Sequence, residues 1–404
     1  MQRGSFQWMK SLNKSIILNK IRINGPISRA QISKDTQLTP PTVGTIVKEL
    51  IEQGLVKEST QGISQGGRKP TMLVINSTEF YIIGIDAGPK DIKFVLSDLS
   101  GKLVDRQIIA IQAGLSNEKF LTILKEGIYE MMDENHQHKE KIIGVGVAMH
   151  GVVDIETGTS LFAPNLHLRD IPIKQALEAE FEFVVKVEND ARSMALGEAW
   201  FGDSVALDSM MTVNIGRGVG AGLIVNGKLY HGAYDIAGEI GHMTIDIHGQ
   251  LCECGNHGCL QTFASGPALA ERALQALEQN EQSSLTQWTK DGSELTGEVI
   301  YQEAINGDEF AKKILEETGM YIGVGLTNLI HIINPSKVII GGGVSNAGEF
   351  ILNSIQSTIE KRALTAQAKK TEVVISSLRE NATVLGAVAL LLVELFDLNG
   401  SVSN

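Results

Sequence analysis

Three cysteines and one histidine have the types and spacing of a metal-binding set. Cys252, Cys254 and Cys259 are the only 3 cysteines of the 404-residue chain, and with His242 they spell H-x9-C-x-C-x4-C. Thiols crowded this closely do not form a disulfide framework, and the clustering points to a metal. Three thiolates and one imidazole close a tetrahedral shell with no position left for water or substrate. The expected ion is therefore a structural Zn²⁺. Gly255 and Gly258 give the loop the backbone freedom to fold tightly around it. His248 and His257 are alternative ligands at less suitable places and read as surface histidines.

The rest of the chain has to position this loop. At 404 residues two or three domains are expected. Net charge is −12, unevenly spread: residues 1–80 hold 11 Lys/Arg against 5 Asp/Glu, or +6, leaving −18 for the remainder. A basic segment on an acidic one suits a nucleic-acid-binding head. No apolar run reaches the roughly 18–20 residues of a membrane span, and the first residues lack the apolar core of a secretion signal, so a cytoplasmic location is expected.

Within residues 1–80 the apolar spacing predicts a helix over 12–23, stopped at Asn24-Gly25-Pro26, a second over 29–34 capped by Ser28, and a turn around a buried Leu38. A third helix follows, capped by Thr39, tolerating Pro40 and Pro41 in its first turn and burying Val43, Ile46, Val47, Leu50 and Ile51. Two strands, 55–58 and 72–75, flank a loop containing Gly66-Gly67-Arg68-Lys69. Three helices and a hairpin make a winged helix-turn-helix. Its reading helix would present Thr39, Pro41, Thr42, Gly44 and Thr45 to base edges and Lys48 to phosphate, with Arg68 and Lys69 of the wing on the backbone or in the minor groove.

Residues 81–404 read as α/β. Strands over 81–86, 91–98 and 103–111, a helix over 117–132 and a strand over 142–148 open an actin-like fold. A second opening of the same kind, strands 210–215 and 220–225, implies two lobes with a ligand cleft between them.

The segments GIDAG, VENDAR, NIGRGVGAGLIVNG, GEIGH, CECGNHGCLQT and VIIGGGVSNAG resemble, in order and spacing, the ROK family of bacterial repressors and sugar kinases. With the N-terminal head included, the likeness is to its repressor branch, which holds xylose-, glucose- and N-acetylglucosamine-responsive regulators. The resemblance implies a winged helix-turn-helix domain (1–80) and a two-lobed sugar-kinase-like domain (81–404), with the same four zinc ligands. It also implies sugar contacts at Asn165, Asn189, Asp190, Glu239, His242 and Gln261, with Asp190 matching the catalytic base of the kinases. Gln261 departs from the Glu usual in the family. His150 takes the place of the proline in a loop that usually reads Pro-Gly.

Active relatives carry D-x-G-G-T and G-T-G phosphate loops. Here these read Asp86-Ala87-Gly88-Pro89-Lys90 and Gly216-Arg217-Gly218, and Pro89 removes a donor N–H. Gly341-Gly342-Gly343 still resembles the adenosine-side loop. The expectation is a sugar-responsive transcriptional repressor of carbohydrate genes, without useful kinase activity, binding operator DNA as a homodimer or tetramer. The wing segment and GHMTID tilt the effector toward xylose. The alternative is a ROK-family kinase transferring phosphate from ATP to a hexose.

Overall fold

Apolar periodicity sets the head. In the computed structural model, which describes residues 12–61, 70–112, 114–203, 207–279, 282–290 and 294–396, helices α1 (Leu12–Asn24), α2 (Arg29–Thr36) and α3 (Pro40–Glu52) precede strands β2 (Val56–Gln61) and β3 (Thr71–Ile75). A two-residue strand, β1 (Ile27–Ser28), adds to β3, giving a three-stranded antiparallel sheet in the order β1-β3-β2. Ile17, Ile21, Ile32, Val43, Val47, Leu50 and Leu73 form its buried core. Ser28 caps α2 and Thr39 caps α3, as their hydroxyls accept from the Gln31 and Thr42 amides. Leu38 and Ile51, expected in the core, are only half-buried. The turn is held instead by polar bonds: Ser33 Oγ donates to the Leu38 carbonyl at 2.6 Å and Thr36 Oγ1 to the Ile32 carbonyl at 2.7 Å. Arg68 and Lys69 lie outside the described residues.

The chain divides into two compact units, one up to Asp190 together with the stretch from Val384 on, the other Ala191–Thr383. Beyond the head, the first unit contains β4 (Tyr81–Ala87), β5 (Asp91–Asp98), β6 (Leu103–Ala110), α4 (Asn117–Glu134), β7 (Ile142–Met149), the small antiparallel strands β8 (Val152–Asp154), β9 (Thr159–Ala163) and β10 (Leu168–Ile171), α5 (Ile173–Glu180) and β11 (Val184–Asn189). Its main sheet runs β11-β7-β4-β5-β6, with β11, β7 and β4 parallel and the last two antiparallel. Every residue of β7 is buried, as expected of an inner strand covered on both faces. One cover is α4, whose Phe120, Leu124, Ile128 and Met131 join Ile83, Ile85, Phe94 and Val145 in one core.

The other cover is the C-terminal helix, Ala382–Phe396, α13 in chain order. Gly146 makes this possible: a β-carbon there would sit 1.8 Å from the Ala387 carbonyl oxygen. The far end of α13 meets the head, where the Asn19 side-chain amide donates to the Phe396 carbonyl and the Arg22 guanidinium lies 6.0 Å from the Phe396 ring centre.

The second unit contains α6 (Asp190–Phe201, its first residue belonging to the first unit), β12 (Ser209–Ile215), β13 (Val219–Val225), β14 (Lys228–Leu229), α7 (Gln261–Ala264), α8 (Gly266–Glu278), α9 (Leu285–Lys290), α10 (Gly297–Ile305), α11 (Glu309–Ile333), β15 (Lys337–Gly341), α12 (Glu349–Arg362) and β16 (Glu372–Ile375). Its sheet, β16-β15-β12-β13-β14, again sets three parallel strands beside two antiparallel ones. The half-repeat read from sequence is thus a repeat of sheet topology. Among the described residues, no helix is long and apolar enough to cross a membrane.

Replacing Gly146 with alanine should lower stability by about 1–3 kcal/mol, the usual penalty of overpacking. Gly343→Ala, where a β-carbon meets nothing within 4 Å, should leave the thermal midpoint nearly unchanged. Paired melting curves check the difference.

Candidate functional site

The outward face of α3 is built for contact with something outside the chain. Val43, Ile46, Val47 and Leu50 point into the core, while Thr39, Pro41, Thr45 and Lys48 are exposed and Thr42 and Gly44 half-buried. Pro40 and Pro41 supply the fixed φ of a first helical turn and no N–H. Lys48 is 78% exposed, and its 3.8 Å pairing with Glu52 is the weak kind found on helix surfaces. Gly44 is the informative residue. A mid-helix glycine costs about 0.5–1 kcal/mol relative to alanine. A β-carbon there would meet nothing within 4 Å, so no neighbour within the described residues requires its absence.

The metal set assembles as its spacing suggested. The ligand atoms of His242, Cys252, Cys254 and Cys259 all lie within 4.8 Å of one another. His242 Nδ1 is 3.7 Å from Cys252 Sγ, and Cys254 Sγ is 3.7 Å from Cys259 Sγ. A tetrahedron with Zn–S about 2.3 Å and Zn–N about 2.0–2.1 Å has edges of about 3.6–3.8 Å, which these two pairs match, and a set held within 4.8 Å suits Zn²⁺ after a small closing of the loop. The loop is laced for the purpose: Cys252 N–H donates to Asn256 C=O and Gly258 N–H to Gln250 C=O, each at 2.8 Å. Gly258 has φ +65°, and a β-carbon would fall 1.5 Å from the Asp246 carbonyl oxygen. His257 Nδ1 lies 3.1 Å from the Gly249 carbonyl, and neither it nor His248 belongs to the cluster.

Around this centre lie Glu239 and Gln261, two further polar residues singled out from the sequence. With Nδ1 turned to Cys252 Sγ, the His242 Nε2 is the nitrogen left for another partner. Gln261 Nε2 donates to Cys252 Sγ at 3.4 Å. The donor that glutamine adds over glutamate is thus spent on a metal ligand. Glu239 keeps surface open to water, yet burial raises its carboxyl pKa against the downward pull of His242 and Arg192. Arg192 was missed from sequence. It is 1% exposed on α6, and its Nη1 donates to the carbonyl of Asp235 at 2.7 Å, clamping the loop that leads to Glu239. Its only sequence signal is its place two residues after Asp190.

The first unit gathers a second polar group at the carboxyl ends of its parallel strands, a common place for ligand binding in open sheets. Asp86 ends β4, His150 follows β7, Asn189 ends β11 and Asp190 begins α6. The Asn189 side-chain amide donates to Gly151 C=O at 2.9 Å. Asn165 is exposed on the turn Pro164–Leu166, and that turn adjoins the same loop, since a β-carbon on Gly151 would come 2.8 Å from Pro164 Cδ. Asp86 pairs across the strands with Lys93, Oδ2 to Nζ 3.6 Å. Burial nevertheless pushes its carboxyl up to about 6, with Lys93 pulling it down and Asp190 and Asp91 adding to the rise. The sequence pattern marks Asp86 only as part of a phosphate-loop segment and His150 only as a substitution, and their approach depends on the parallel pairing of β4 with β7.

Residues 82–394 match the family model described as ROK family. The chain belongs to the ROK family. Residues 16–57 also match the winged helix-turn-helix DNA-binding model. Among ROK relatives, the chain is 35% identical to the xylose repressor of Caldicellulosiruptor bescii, over 96% of this chain and 97% of that one. It is 33% identical to the DNA-binding transcriptional dual regulator NagC of Escherichia coli, over 96% and 94%. Among solved structures, a ROK family transcriptional regulator, homologous to the E. coli MLC protein, superposes with a TM-score of 0.86 at 28% identity, covering 96% of each chain. A ROK glucokinase from Streptomyces griseus, in complex with glucose and AMPPNP, reaches 0.68 at 30% identity, covering 77% of this chain and 98% of that one. That 77% against 96% reflects a head that the glucokinase match does not span.

Two outcomes follow. Cys254→Ser should leave three ligands and drop zinc below one ion per chain after mild chelation, read by elemental analysis, while the wild type keeps its ion. Asp86→Asn removes a carboxyl whose folded pKa of about 6 exceeds its ordinary 3.8. The folded wild type binds the extra proton, so its stability falls as pH rises through that window. The stability of the variant relative to wild type should therefore grow between pH 4 and pH 7, measured by urea unfolding.

Proposed function

We propose that the chain is a sugar-responsive, DNA-binding transcriptional repressor of carbohydrate-utilisation genes, released from its operator by the sugar. The observation that carries this reading is Gly44: the reading helix gives up helix stability to keep an open surface among exposed Thr39, Pro41, Thr45 and Lys48. Relatives named xylose repressor and N-acetylglucosamine repressor each match over 96% of this chain, a span that takes in both the head and the ROK domain. The proposed domain division is 1–80 for the head, with Arg68 and Lys69 at phosphate or minor groove, and 81–404 for sensing.

Asn165, Asn189 and Asp190 in the first unit, and Glu239, His242 and Gln261 in the second, are the proposed sugar contacts. They offer the mix of amide donors and carboxylate acceptors that hydroxyl groups need. Xylose is the first candidate, in line with the name of the Caldicellulosiruptor relative. A bound Zn²⁺ would cross-link the 242–259 loop and fix the ring of His242, a structural and not a catalytic part. The sugar can release DNA only by binding the releasing conformation more tightly than the DNA-bound one. The protein works in the cytoplasm, as a homodimer or tetramer on a twofold-symmetric operator.

A kinase reading has one observation in its favour: Asp190 opens α6 where the kinases carry their base. Pro89, Lys90 and Arg217 argue against it, since they replace small residues and a hydroxyl in the phosphate loops. ATP turnover over a panel of hexoses decides the matter, and robust turnover would make the enzyme reading primary.

Gly44→Ala should raise thermal stability by about 0.5–1 kcal/mol and weaken operator binding in the same preparation. A gain in both would remove the reason for assigning this face to DNA. Lys48→Ala should weaken binding to all duplexes alike and reduce the salt-dependence slope by about 0.9, as one phosphate contact is lost.

A further inference from the structure

His150 is a buried base with one nitrogen used and one left over. It is 6% exposed. Its Nδ1 lies 3.1 Å from the backbone carbonyl oxygen of Ala87, which can only accept, so Nδ1 carries the hydrogen. Burial lowers its pKa, against the upward pull of Asp86, and the ring is therefore neutral near pH 7. In that tautomer Nε2 is a bare lone pair. It is buried, and no partner for it exists among the described residues. A buried acceptor without a donor costs about 1–3 kcal/mol, which makes such an atom in a folded protein something to be explained.

The surroundings say what would satisfy it. His150 follows β7 at the carboxyl ends of the parallel strands, between Asp86 at the end of β4 and Asn189 at the end of β11. The next residue, Gly151, is pinned from two sides. Its carbonyl receives the Asn189 amide at 2.9 Å, and its φ of +87° sets it where a β-carbon would lie 2.1 Å from the Phe162 carbonyl oxygen. The loop holding the imidazole is therefore rigid, and the ring is tied to Ala87. A lone-pair acceptor beside the half-buried carboxyl of Asp86 disfavours a phosphate or a carboxylate and favours a neutral donor such as an O–H.

We propose that His150 Nε2 accepts a hydrogen bond from one hydroxyl of a neutral sugar effector, and that this residue helps to select which sugar the protein senses. The inference rests on the sugar-responsive reading above and adds a contact to it. It also fixes the polarity of that contact, since the sugar must donate there. A sugar lacking that hydroxyl, or carrying a phosphate ester on it, would leave the acceptor bare or oppose an anion to Asp86 and Asp190.

The test uses the full-length protein on its operator. Xylose, glucose and N-acetylglucosamine are titrated in turn, and the sugar that releases the wild type is followed by its monodeoxy analogues. H150N keeps an amide donor near Nδ1, for the Ala87 carbonyl, but has nothing at the position of Nε2. H150Q reaches that position with an amide. H150N should bind operator as the wild type does without sugar, yet need about tenfold more sugar for release, with H150Q in between. One deoxy analogue should lose about tenfold on the wild type and nothing further on H150N, identifying the hydroxyl. Equal sugar response of H150N and wild type, or equal losses for every analogue on both, would mean that Nε2 holds an ordered water only and would overturn the proposal. If no sugar moves the wild type from its operator, the sugar-responsive reading fails and takes this contact with it. If H150N does not fold, the analogue series on H150Q decides by the same comparison.

Discussion

Parallel strands must be covered on both faces, and much of this protein follows from meeting that demand. β4, β5 and β7 share one core with α4, α5 packs on β11, and α13 lies against the other face at Gly84, Gly144 and Gly146. The strand ends are what remains. Asp86, His150, Asn189 and Asp190 lie where three parallel strands finish together, and that shared ending turns residues far apart in sequence into one polar group. The same arrangement recurs in the second unit, with β12, β15 and β16 parallel. There the polar residues stand on a loop tied by a metal set and by the guanidinium of Arg192.

The head and the sheets were legible because their signals are local. Helical spacing of Val43, Ile46, Val47 and Leu50, the caps Ser28 and Thr39, and Gly54 at φ +77° all act within a few residues. The metal set was legible for the same reason, since three of its ligands share one loop. What sequence could not show depends on contacts across long separations. The docking of α13 rests on Gly146 meeting Ala387, 241 positions later in the chain. The role of Arg192 depends on carbonyls of a loop some forty residues away. Leu38 was placed too deep because polar bonds from Ser33 and Thr36 to the backbone do the work that burial was expected to do.

Electrostatics separate the two polar groups in kind. In the first unit desolvation of the half-buried Asp86 carboxyl raises its pKa, Lys93 relieves this only in part, and Asp190 and Asp91 add to it, so a negative charge there is costly. In the second unit His242 and Arg192 draw the Glu239 pKa down against burial, beside a cluster of three cysteines and a histidine that could hold a metal ion. Gln261 belongs to this logic. Its amide supplies Cys252 Sγ with a donor that a carboxylate lacks.

The path of α13 has a mechanical side. One helix of 15 residues lies along the sheet whose strands end at Asp86 and His150, and its final residue is gripped by Asn19 and Arg22 of the first helix of the head. Gly146, with Ala387 against it, and Asn19, with Phe396 against it, are thus joined by one continuous run of helix. The C-terminal helix is therefore a tie as well as a lid on the core, seated on the glycines of the sheet at one end and on α1 at the other.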